Sequence, residues 1–251
     1  MTTVYFNGEE GRLEGKYHHS TNTEPQVALI LHSEPQNGGS MEDPIVDEIY
    51  KLLSKRNFSV LKINFRGVGR SEGIGTKEEG EMRDATIAMD WLHSKNMESK
   101  DYWIIGFSFG AWIAFQLVMR RPEIQEYVLI SPMAKKDFGF IVPCEASGIV
   151  IQGESDRTTP EENTAKLVEK LSVKEGLDVE YIVVENADHA FEGNLDKLKE
   201  IISDYINKKI VENLGRVIKV KRDRRRRRRK KIDMEENAII HISPVSKIDF
   251  D

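Results

Sequence analysis

The chain has one cysteine, Cys144, among its 251 residues, which excludes an intramolecular disulfide and any cysteine-based metal cluster. Alone, it reads as a small buried hydrophobe rather than a nucleophile. No apolar run is long enough to cross a bilayer. The opening residues, Met1-Thr2-Thr3-Val4-Tyr5-Phe6, lack both the basic and the apolar stretch of a secretory signal. These absences lead to the expectation of a soluble, cytoplasmic protein. Nothing recurs at a period of roughly 20 to 50 residues, so repeat architectures are excluded. No cluster has metal-ligand spacing, and no cofactor is expected.

Charge is present but unevenly spread. Residues 216–251 hold 13 of the 37 Lys and Arg and 6 of the 42 Asp and Glu, a net of +7, which leaves −12 on the remainder. This predicts an acidic domain over 1–213 and a basic tail over 214–251. At 39% hydrophobic residues the chain can build one sizeable core. From Lys219 to Lys231 the tail is polybasic, with arginine at every position from 224 to 229. Like charges so dense repel one another, which predicts a disordered, solvated segment. The functional alternative is weak contact of residues 219–231 with nucleic acid or an anionic membrane. No aromatics are interleaved, so base stacking is not expected. Ala238-Ile239-Ile240 is a weak strand signal within 235–242.

The body alternates between two periodicities. Val4–Phe6 and Arg12–Tyr17 flank Asn7-Gly8-Glu9-Glu10-Gly11 and predict a hairpin. Strands are predicted at Gln26–Leu31, Phe58–Ile63, 102–106, Tyr127–Ile130, Ile149–Ile151 and Val179–Val184. Helical spacing runs over Glu42–Arg56, Glu79–Ser94, 109–120, Pro160–Leu171 and Leu195–Ile210. Alternating strands and helices predict an α/β architecture, a mostly parallel sheet with helices on both faces and the hairpin antiparallel at one edge.

Gly106-Phe107-Ser108-Phe109-Gly110 fits G-x-S-x-G between the apolar strand Tyr102-Trp103-Ile104-Ile105 and the apolar helix that starts at Phe109. A serine on such a strand-to-helix turn projects its hydroxyl above the sheet, over a helix N-terminus that favours negative charge. A serine hydroxyl needs a base within hydrogen-bond reach, and the base an orienting acid. In this type of fold they follow in the order Ser, acid, His. Asp156 comes after the strand in Ile149-Val150-Ile151-Gln152-Gly153-Glu154-Ser155-Asp156 and just before a helix, with Glu154 as the rival acid. His189 follows the strand ending at Val184 and precedes the last helix. Asp188 reads as a turn residue, and His18, His19, His93 and His241 as solvated. The oxyanion needs two backbone N–H donors. One is assigned to Phe109, the other to Ser33 or Glu34, with Glu34 favoured, since Pro35 has no N–H. Gly38-Gly39 would let that loop fold close. Arg66-Gly67-Val68-Gly69-Arg70-Ser71-Glu72-Gly73 fails G-x-G-x-x-G at Glu72 and reads as a tight loop beside the oxyanion strand.

Together with Asn64–Gly73, the segments GFSFGAW, QGESDRTTP and NADHAFEG resemble the α/β-hydrolase superfamily, in its small, lidless bacterial branch of dienelactone-hydrolase-like or serine-aminopeptidase-like members. The resemblance runs from about Val4 to Ile210. It implies a Ser-Asp-His triad at Ser108, Asp156 and His189. Dienelactone hydrolases proper use a cysteine, so the serine here implies ester or thioester chemistry. One departure stands out. The branch usually has a His-Pro-His-Pro-like loop where this chain has His32-Ser33-Glu34-Pro35, and an inward carboxylate at Glu34 would oppose an oxyanion. Residues 131–147 are too few for the cap domain of larger relatives. Phe138, Phe140 and Ile141 either line the open pocket or, as favoured, belong to the core. The expected function is hydrolysis of a small-molecule ester or thioester. The alternative is a catalytically weak hydrolase-fold binding protein with a nucleic-acid-binding tail. Oligomeric state is left open.

Overall fold

The turn at Asn7–Gly11 closes a hairpin of β1 (Thr2–Gly8) and β2 (Gly11–His18) in antiparallel register, with Phe6 opposite Leu13. Both of those side chains are buried, so the alternation fixes one face of the ribbon on the core. The computed structural model describes residues 2–136, 146–173 and 177–213. The hairpin joins a sheet through β2, which pairs antiparallel with β4 (Ser59–Ile63). Every further pairing is parallel: β4 with β3 (Gln26–Leu31), β3 with β5 (Asp101–Phe107), β5 with β6 (Ile124–Ile130), β6 with β7 (Ala146–Gly153) and β7 with β8 (Leu177–Val184). The order is β1-β2-β4-β3-β5-β6-β7-β8. The mostly parallel sheet with an antiparallel edge is the predicted one.

The central strands are apolar on both faces because helices cover both. Val27, Leu29 and Leu31 of β3 enter a core cluster with α2 (Glu79–Lys95), α3 (Phe109–Val118) and the apolar stripe of α4 (Glu161–Ser172). Ala28 and Ile30 are equally buried but face the other way, where α1 (Pro44–Lys55) packs on β3 and β4. Helix α5 covers 195–213, and its Lys199 reaches Glu48 of α1 at 3.0 Å. The chain divides into two units, Met1–Ser203 and Asp204–Asp251. Of the second, the described residues 204–213 are helical. The predicted boundary after 213, the basic run, the weak strand at 235–242, His241, Cys144, Phe138, Phe140 and Ile141 lie outside the described residues. No helix among the described residues is long and apolar enough to cross a membrane.

The chain leaves β3 toward β4 on one side and returns to β5 on the other. The reversal opens a crevice at the carboxyl ends of β3 and β5, where α/β sheets place their ligands. Two buried charged side chains brace its surroundings. Lys62, inside β4, donates to Met41 O and to Asp47 Oδ1, each at 2.8 Å. Arg66 clasps Asp84 at 2.8 Å. The loop that follows Arg66 is tight, as expected: Gly67 and Gly69 take left-handed φ of 74° and 59°. Glu72, at the position a phosphate-binding loop would need as glycine, instead accepts the Arg12 N–H at 2.8 Å.

Candidate active site

Ser108 sits between β5 and α3 with φ 54° and ψ −111°, a left-handed region that costs a non-glycine residue about 1–3 kcal/mol. Packing enforces it. A Cβ on Gly106 would collide with Gly110 and Ala111, and one on Gly110 with the carbonyls of Leu31 and His32. The elbow therefore closes against the end of β3 only with both glycines present. The Ser108 N–H is tied to Ile130 O at 2.8 Å, which fixes the turn to β6.

His189 and Asp156 meet this serine from two other loops. His189 Nε2 lies 3.0 Å from Ser108 Oγ, and Nδ1 lies 2.8 Å from Asp156 Oδ2. With Nδ1–H donating to the carboxylate, Nε2 faces the hydroxyl as an acceptor. The Phe107 ring lies against the imidazole, centroids 5.2 Å apart. Glu154, the rival acid, is spent elsewhere: it accepts the Asn186 N–H at 2.9 Å. Asp188 serves its turn by accepting the Glu192 N–H at 2.9 Å.

Asp156 is held by more than His189. Thr158 N–H and Thr159 N–H donate to Oδ1 at 2.9 and 2.8 Å. The Thr159 hydroxyl and Gln152 Nε2 donate to Oδ2 at 2.7 and 3.0 Å. Gln152 is itself oriented by Thr164, whose hydroxyl donates to Oε1 at 2.9 Å. Burial alone would raise the Asp156 pKa. The hydrogen bonds from His189 and from the Thr159 backbone and hydroxyl outweigh it and bring the carboxyl down to about 2. It is therefore ionised throughout the neutral range.

The loop after β3 forms the facing wall. Ser33 donates to Asp43 Oδ2 twice, from its hydroxyl at 2.6 Å and its N–H at 3.3 Å. No acceptor for the N–H of Glu34 or of Phe109 is found among the described residues. Glu34 begins a short 3-10 turn, Pro35–Asn37, and its side chain makes no capping hydrogen bond to that turn. Burial pushes the Glu34 pKa up, against the pull of Lys136. Gly39 folds in so closely that a Cβ there would meet Ser33 O. Ser33, Glu34, Phe107, Ser108, Met133 and His189 are among the walls of a cleft of about 640 Å³.

Several of these groups carry no sequence signal. His32 is fully buried between Ser33 O and Phe65 N–H. Gln152 looks like one polar residue in a strand. Thr159 and Asp43 are more accessible to reading, since each lies three residues from its partner, Asp156 and Ser40. His19 and His93 are exposed as expected, whereas His18 is half-buried and its pKa lowered, chiefly by that burial.

A strand-elbow-helix serine facing a histidine and an acid at the carboxyl edge of a parallel sheet defines a serine hydrolase of the α/β type. The chain belongs to the α/β-hydrolase superfamily. It is 41% identical over 211 residues to an uncharacterized protein of Rickettsia prowazekii, covering 82% of this chain and 89% of that one. A family model described as serine aminopeptidase, S33, matches residues 38–148. A crystal structure of an alpha/beta hydrolase of unknown function from Agrobacterium tumefaciens superposes with TM-score 0.81 at 42% identity, over 83% of this chain and 96% of that one. A Xanthomonas campestris serine hydrolase without a lid shares the fold, with TM-score 0.74 at 23% identity over 82% of this chain and 94% of that one.

Proposed function

We propose that the protein hydrolyses small carboxylic esters or thioesters through an acyl-serine intermediate. His189 Nε2 takes the Ser108 proton as Oγ attacks the acyl carbon, and returns it to the departing alcohol or thiol. Asp156 holds the imidazole tautomer and stabilises the imidazolium. The N–H groups of Phe109 and Glu34 stabilise the tetrahedral oxyanion. Water, deprotonated by His189, then releases the acid. The observation that carries this reading is the hydrogen-bonded line from Ser108 Oγ through both His189 nitrogens to Asp156, at 3.0 and 2.8 Å. Glu34 fits the scheme because its N–H has no acceptor among the described residues.

A fluorophosphonate probe tests it. Wild-type protein should be labelled covalently and Ser108→Ala should not, with both equally folded. Absence of labelling in folded wild type would sink the reading.

A further inference from the structure

Beside the cleft lies a second cavity of about 170 Å³, lined by Met133, Ala134, Thr158, Thr159, Asn163 and the stems of Lys135 and Lys136. It adjoins the site, since Met133, Thr158 and Thr159 line both spaces. The two spaces differ in chemistry. The cleft is bordered by three carboxylates, Glu34, Asp43 and Glu192, whereas the lining of the side cavity is predominantly apolar. Such a space rewards an apolar group and repels a charged one. Its size gives a scale: a space of about 150 Å³ holds one benzene ring.

We infer that this cavity is the acyl subsite, and that the protein is selective for acyl groups of medium size, up to about six carbons or one phenyl ring. The inference rests on the hydrolase reading and deepens it. Of the two halves of an ester, the acyl half stays bonded to Ser108 while water enters, so it gains most from an apolar seat. The leaving alcohol or thiol takes up its proton from His189 and departs, which the wider, carboxylate-bordered cleft permits. Chain length is then read by Met133, Ala134 and Asn163, which do not touch the reacting bond. Asn163 stands on α4 and Ala134 on the segment after β6, so two independent elements set the cavity's depth.

The test is a series of p-nitrophenyl esters from acetate to decanoate, with the full chain as wild type, Asn163→Trp and Ala134→Leu. In wild type kcat/KM should rise about tenfold or more from acetate to hexanoate, as each buried methylene adds binding, and fall again at decanoate. Either variant that folds, by thermal melt, should lower the hexanoate-to-acetate ratio by about tenfold. A ratio equal to wild type in a folded variant overturns the assignment, as does a flat wild-type series. No turnover of any ester by folded wild type overturns the hydrolase reading as well, so the two failures are told apart.

Discussion

His32 and His189 both stand beyond the carboxyl ends of sheet strands, yet their rings are used in opposite ways. His32 donates from Nδ1 to Ser33 O at 2.7 Å and accepts the Phe65 N–H on Nε2 at 3.1 Å. Both nitrogens are consumed by backbone, and the side chain has no exposure. Burial brings its pKa down to about 4, against the Ser33 carbonyl and the Asp43 and Glu81 carboxylates. His189 has 22% of its side chain exposed and spends only one nitrogen on structure. The other faces Ser108. A ring with two backbone partners is a brace that must stay neutral. A ring with one carboxylate partner and one hydroxyl partner can exchange a proton.

The largest expected effect breaks the brace by pH. His32 is less basic in the folded protein than in the unfolded chain, where its pKa is near 6.5. Its contribution to stability is therefore complete above pH 6.5 and declines as pH falls toward 4, by roughly 3 kcal/mol. Asp156 has the same sign in a lower window, from its ordinary value of 3.8 down to about 2. Denaturant unfolding at stepped pH should show the upper decline in wild type, and His32→Gln should remove it. An unchanged slope in that variant would mean that another group titrates there.

The second effect is smaller and lies in the wall that His32 braces. Asp43 takes both the hydroxyl and the N–H of Ser33, the residue next to the proposed oxyanion donor Glu34. Asp43→Ala should lower kcat about tenfold with little change in KM, since a misplaced oxyanion donor is felt mainly in the transition state. Asp43→Asn keeps an acceptor for Ser33 and should recover part of the loss. Steady-state kinetics on one short ester decides this. A change confined to KM would remove Asp43 from the oxyanion wall.

The sequence made much of this molecule legible, and the exceptions have a common cause. Strands and helices show in local periodicity, and the elbow in five consecutive residues. The start of β7 at Ala146 does not show, because Ala146-Ser147-Gly148 lacks a dense apolar run. Gly148 is there because a Cβ would collide with the Tyr127 ring on the next strand. Lys62 lies in the predicted strand Phe58–Ile63, but its acceptors, Met41 O and Asp47, come from a loop and from α1 and show only in the fold. Ser108, Asp156 and His189 could be nominated because their order along the chain is a property of the topology. His32 and Gln152 could not, since their partners Phe65 and Thr164 lie 33 and 12 residues away and meet them only through the fold.

Gln152 gives the smallest effect and the sharpest contrast with His32, since its work is done entirely through the other histidine's partner. Its Nε2 donates to Asp156 Oδ2 and to Thr159 O, and Thr164 prevents the amide from flipping. Removing this donor leaves the Asp156 carboxylate less neutralised, so it holds a protonated His189 more tightly. In Gln152→Met the acid limb of the kcat/KM profile should therefore move to higher pH, and kcat should fall by less than about tenfold. A residue that merely filled the core would lower stability without moving the limb. Gln152→Glu separates the roles further: a carboxyl at the same place can donate only while it is protonated, and its ionised form repels Asp156. Its limb should then differ from that of the methionine variant. Identical pH profiles for wild type and both variants would reduce Gln152 to packing.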